Sequence, residues 1–151
     1  METGGPYLNA ALLCEKVLQE KDEVLSVIRV IDRITITAMS SGAPIPDTLP
    51  PSIVSFHVLL ILKAGLFKGS AQVRLAIQSP GNQVVGETTM DVFLEGDDRG
   101  VNLVSLMQIQ VQEDGLYWID VTCAGQLFTR IPLRIIYQRL HQGSLQWPQG
   151  A

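Results

Sequence analysis

The acidic run Glu95, Asp97 and Asp98 is the best acidic cluster that this chain offers for chemistry. With Asp47 or Asp114 brought alongside, it would offer the oxygen ligands that calcium takes. One loop alone supplies too few carboxylates, and the spacing is not that of a helix–loop–helix calcium motif, so a solvated acidic loop is the plainer expectation. Ser55, His57 and Asp120 have the residue types of a nucleophile, a base and an orienting acid. No G-x-S-x-G surrounds any serine to present the nucleophile. Also missing are G-x-x-x-x-G-K followed by Ser or Thr, a helix-opening G-x-G-x-x-G, and H-E-x-x-H. Nucleotide hydrolysis, dinucleotide use and zinc proteolysis therefore have no support. Cys14 and Cys123, with only His57 and His141 to help them, are too few for a metal site. Each lies in an apolar run, where a buried free thiol is expected. The chain reads as no enzyme, without catalytic residue, metal or cofactor.

Binding is the remaining class. Arg74, Arg130 and Arg134 fall on the solvent faces of their predicted strands, where a guanidinium could grip a carboxylate or phosphate. Arginines that keep the wet side of a sheet soluble explain them more simply. Trp118 and Phe128 are different, because alternation sets each opposite the core residues of its own hairpin, with Leu116 and Ile136 beside them. Such a patch exceeds scattered surface apolars and would suit a protein partner or a second copy, unless a loop covers it.

The element that positions these residues is the stretch from Glu113 to Ile136, around which the chain is organised. Asp114 and Gly115 open a long hairpin, Tyr117, Ile119, Val121 and Cys123 recur at period two, and Ala124-Gly125 reverses the chain. Leu127, Ile131, Leu133 and Ile135 form the apolar face of the second strand, with Phe128, Arg130 and Arg134 pointing away. Upstream, Leu8 to Leu18 reads as a strand, with the helix as its alternative. VLSVIRVIDRITIT, within Glu23 to Thr37, reads as one long, bent strand because β-branched residues crowd it. Met39 to Ser52, with Pro44, Pro46, Pro50 and Pro51, is a loop crossing between two sheets. Strands are expected at Ile53 to Lys63, Ala71 to Gln78, Gln83 to Leu94 and Val101 to Val111, the last pairing with the hairpin that follows. Gly65 to Ser70 connects two of them, and Glu95 to Gly100 is a turn or loop. Residues 138–151 form a flexible tail.

Composition bounds the rest. A chain of 151 residues suits one domain. Its net charge of -4, with scattered Lys and Arg, argues against nucleic acid. No run approaches the roughly 20 apolar residues of a membrane span. The opening METGGPYLNAALLCEKV lacks the basic start of a secretion signal, so a cytoplasmic, reducing setting is expected.

Asp114-Gly115-Leu116-Tyr117, followed by Ile119 and Val121, resembles the penultimate strand of immunoglobulin-like domains, where a Tyr pins a corner. Ile119 stands where those domains carry a disulfide cysteine, so the resemblance implies architecture only. Ala10-Ala11-Leu12-Leu13-Cys14-Glu15, Ile31-Asp32-Arg33-Ile34 and Pro132-Leu133-Arg134-Ile135 together resemble a family of small uncharacterised bacterial proteins. That resemblance implies a sandwich in a bacterial cytosol and no activity. The expectation is thus an all-β, antiparallel, immunoglobulin-like sandwich of about eight strands, a non-catalytic binding or assembly module acting through a sheet face. The alternative is a sandwich that holds calcium, an anionic lipid or a metabolite in loops carrying Asp47, Glu95, Asp97 and Asp98.

Overall fold

Alternating apolar residues dominate the sequence, and the computed structural model, which describes residues 4–141, realises them as strands throughout. These are β1 (Tyr7–Gln19), β2 (Leu25–Ile31), β3 (Arg33–Ser40), β4 (Ser52–Gln78), β5 (Val84–Val111), β6 (Gly115–Cys123) and β7 (Gln126–His141). None of the described residues is helical, so no helix is long and apolar enough to cross a membrane. The N-terminal segment is a strand, as expected.

The fold is built on the β4–β5 hairpin rather than on β6–β7. β4 has 27 residues. Straight, it would run about 90 Å, whereas a compact chain of this size has a radius of gyration of about 15 Å. The hairpin must therefore bend. It does so where the ladder slips between Lys63, Gly65 and Lys68, with Gly65 set opposite Asp97 and both residues at positive φ. The segments expected to be a connection (Gly65 to Ser70) and a loop (Glu95 to Gly100) are this bend. Both strands bulge together, so pairing continues through it. Across the bend the inward phase of β4 changes from even positions (Val54, Phe56, Val58, Leu60, Leu62, Ala64) to odd ones (Ala71, Val73, Leu75, Ile77). The apolar side thereby stays on one core.

Each half of β4 carries further strands on the edge that β5 leaves open. The first half pairs with β1, and β1 with β2; the second pairs with β6, then β7, then β3. The result is one strongly curled seven-stranded sheet whose two arms enclose the core. Their approach is close: a Cβ on Gly86, in the first half of β5, would lie 2.7 Å from Ile109 in the second. β2 and β3 end opposite arms yet are separated only by Asp32, whose carbonyl accepts the Arg134 N–H at 3.0 Å. The ends of the sheet therefore meet at that corner. The segment expected to be one bent strand is this β2–β3 pair. The Pro-rich loop passes between arms, burying Ile45 and Leu49 while Tyr137 donates to the Pro46 carbonyl at 2.9 Å.

Several expectations need correction. The sheet is mixed, because β3 runs parallel to β7. Four expected strands have merged into β4 and β5, and Val101–Val111 pairs with β4 rather than with the later hairpin. β7 reaches His141, so residues 138–141 are strand, not tail; the remainder of the expected tail lies outside the described residues. Between Val121 and Thr122 of β6 the register with β7 slips, leaving Phe128 without a cross-strand partner. That bulge inverts the phase before it: Phe128 packs against the core, whereas Leu127 is 54% exposed.

Candidate functional site

Each arm has an outer face, and the two differ in chemistry. On the β4–β6–β7 arm the polar side chains pair off. Arg74 donates to Glu87 at 2.6 Å, Arg130 to Asp120 at 2.6 Å and Gln78 to Asp120 at 3.2 Å. The Arg130 guanidinium also lies 4.9 Å from the Trp118 ring centre. The shared hydrogen bond raises the Arg74 pKa and lowers that of Glu87. Of the four residues expected to form an interface here, Trp118, Leu116 and Ile136 are half-buried on this outer face, set opposite Pro132, Arg134 and Thr35. Phe128 is not with them, because the bulge turns it inward.

The β2–β1–β4–β5 arm carries the opposite chemistry. Cross-strand register sets Val30, Cys14, His57 and Leu106 in one row, Leu12, Leu59 and Val104 in the next, and Ala10, Ile61 and Asn102 in a third. Residues directly opposite share a face. Leu59 (2% exposed) and Cys14 (0%) are buried, yet both stand outside the core cluster, so their neighbours on the outer face are what shields them. Around them Val30, Ile28, Val104 and Leu106 are exposed. Beside the buried Cys14 thiol, His57 is the one titratable side chain inside the rows, and its Nδ1–H donates to the Glu15 carbonyl at 2.9 Å, where β1 parts from β4. Glu15 also pairs with Arg29 at 3.0 Å, from β1 to β2.

Signals for this face were present in the sequence. His57, Leu59 and Ile61 alternate opposite Phe56, Val58, Leu60 and Leu62, which marks a strand apolar on both sides. Nothing local places Val30, Cys14 and Leu106 beside them, since that depends on pairing across three strands.

The other candidates are not assembled. Asp120 lies on the second arm, bonded to Arg130 and Gln78, while His57 and Ser55 lie on the first, so no triad forms. Asp47 binds Arg139 at 2.7 Å and Glu95 binds Arg99 at 2.8 Å. Among the described residues no three His, Cys, Asp or Glu side chains gather into a group that could hold a metal ion. Cys14 and Cys123 are free and buried, and desolvation raises the pKa of both thiols. A cleft of about 590 Å³ between the arms is lined by Ser79, Gln83, Gln110, Gln112 and Glu113. Its carboxylate accepts the Gly81 N–H at 3.1 Å.

The model of a family of unknown function (DUF6941) matches residues 9–136, from within β1 to within β7. No curated protein matches the chain.

Proposed function

Because the chain belongs to the DUF6941 family, whose function is unknown, we propose from its own geometry that it is a non-catalytic binding and assembly module. Its working surface is the outer face of the β2–β1–β4–β5 arm. One observation carries this reading: Val30, Cys14 and Leu106 stand in register around His57 across four strands, with Leu12, Leu59 and Val104 in the next row, on a face turned away from the core. A solvent face of a sheet ordinarily carries polar residues, as Arg74, Gln78, Asp120 and Arg130 do on the other arm. A contiguous apolar patch gains free energy when a partner removes it from water, at about 25 cal/mol per Å². The same proposal sets it in a reducing, cytoplasmic compartment, a reading that its two buried free thiols support.

The test is a double variant, Val30→Lys/Val104→Lys, placed on exposed positions so that the fold survives. Retention on a phenyl matrix and mass by light scattering across concentration are compared with wild type, with circular dichroism as the fold control. Loss of retention or of association supports the proposal. A folded variant identical to wild type in both readouts removes it.

A further inference from the structure

We infer that the partner of this arm is a second copy of the chain, joined edge to edge along β5 from Val101 to Val111. Two β2–β1–β4–β5 arms then form one continuous sheet. The inference rests on the reading of that arm as the working surface.

Among the described residues β5 pairs with β4 alone, so its far edge presents a row of backbone N–H and C=O groups. Proteins guard such edges with charges, kinks and prolines, because an open edge templates another strand. The first part of β5 is guarded in this way. It carries Glu87, Asp91, Glu95, Asp97, Asp98 and Arg99, and it kinks at Gly96 and Asp97, both at positive φ. From Val101 to Val111 there is no charge, no proline and no glycine. Val104 is 43% exposed and Leu106 57%.

The unguarded run is self-complementary. An antiparallel two-fold pairing centred on Leu106, its midpoint, sets Leu106 opposite its own mate, Val104 opposite Gln108 and Asn102 opposite Gln110. On the core side it sets Ser105 opposite Met107 and Leu103 opposite Ile109. No like charges meet, whereas a pairing extended along the acidic part of β5 would set carboxylates near carboxylates. An uncharged strand offers a charged foreign segment nothing to recognise, but it fits another copy of itself. The apolar rows through His57 and Leu59 continue across the axis, and the two-fold uses up the edge, so assembly stops at the dimer.

Directly opposed residues of an antiparallel pair lie about 4.5–5.5 Å apart at Cα, within the span of a disulfide. Leu106→Cys in the full chain should therefore cross-link to a covalent dimer under mild oxidation. Val30→Cys, at the far side of the same face, should not, and the native cysteines are buried. In solution the wild type should have twice the chain mass, and Leu106→Lys, which sets two ammonium groups opposite each other, should halve it. Val104→Lys/Gln108→Glu should remain dimeric, since each lysine then faces a glutamate across the axis. A wild type of single-chain mass at every concentration overturns the proposal, as does equal cross-linking at positions 106 and 30. Retention of that monomer on the phenyl matrix, lost in Val30→Lys/Val104→Lys, would leave the face with a foreign partner. Failure there as well would remove the face itself.

Discussion

Tyr117 is fully enclosed, and its hydroxyl donates to the Glu113 carbonyl at 2.6 Å, closing the corner that leads into β6. Removing that hydroxyl in Tyr117→Phe should cost on the order of 1 kcal/mol in denaturant unfolding. Burial, with the Glu113 and Asp114 charges adding, raises its pKa above the ordinary 10.0. A raised folded-state value means that the neutral phenol's contribution is complete below the unfolded pKa and is lost as pH climbs through the folded one. Unfolding free energy should therefore fall above about pH 10, and Tyr117→Phe should flatten that decline. The raised thiols act with the same sign, from their ordinary 9.0 upward. Trp118 and Phe128 make a second test. Phe128→Glu drives a charge into the core and should abolish cooperative folding, whereas Trp118→Glu, on the outer face, should cost roughly 1 kcal/mol. Equal losses in thermal melts would contradict the β7 bulge. The corner tyrosine was legible, because an Asp-Gly turn before a strand marks it. The fate of Phe128 was not, since one unpaired residue inverts the alternation on which such a reading relies.

The long hairpin shows the same limit for an element. Apolar positions shift from even to odd between Ala64 and Ala71, and in a sequence that shift looks like the end of one strand and the start of another. Here two bulges facing each other carry the ladder through, which depends on both strands at once and has no local signature. The closeness of its two halves can be tested at Gly86. Gly86→Ala should destabilise by roughly 1–3 kcal/mol through its clash with Ile109, and Ile109→Ala alone by about 2–5 kcal/mol. Combined, they should cost less than their sum by about 1 kcal/mol or more, measured by urea unfolding. Strict additivity would mean that the arms do not meet there. The turn from β6 to β7 offers a gain instead. Ala124 (φ 51°) and Gly125 (φ 78°) both sit in the left-handed region, as a two-residue hairpin turn of type I′ requires. Alanine is strained there while asparagine is favoured, so Ala124→Asn should raise stability by up to about 1 kcal/mol. An unchanged or lower melting temperature would contradict that turn.

For the whole molecule, alkylation of the native chain should leave Cys14 and Cys123 unmodified, and alkylation after denaturation without reductant should add two groups by mass spectrometry. A denatured mass lacking both would place them in a disulfide. The all-β class and most strand positions were legible, because period-two alternation is local. The arrangement of the arms, the parallel β3–β7 pair and the apolar face were not. Each is set by partners brought together from distant parts of the chain, as Thr37 and Gln138 are across 101 positions. The corner at Asp32 carries a consequence for how the molecule assembles. The hairpins β1–β2, β4–β5 and β6–β7 each join neighbours in sequence and can form early, because their loops are short. β3 has no such neighbour and can pair only after β7 is in place. With one residue between β2 and β3, zipping β3 onto β7 also draws β2 and its hairpin over the core. Closure of the arms and completion of the sheet are then coupled through that single residue.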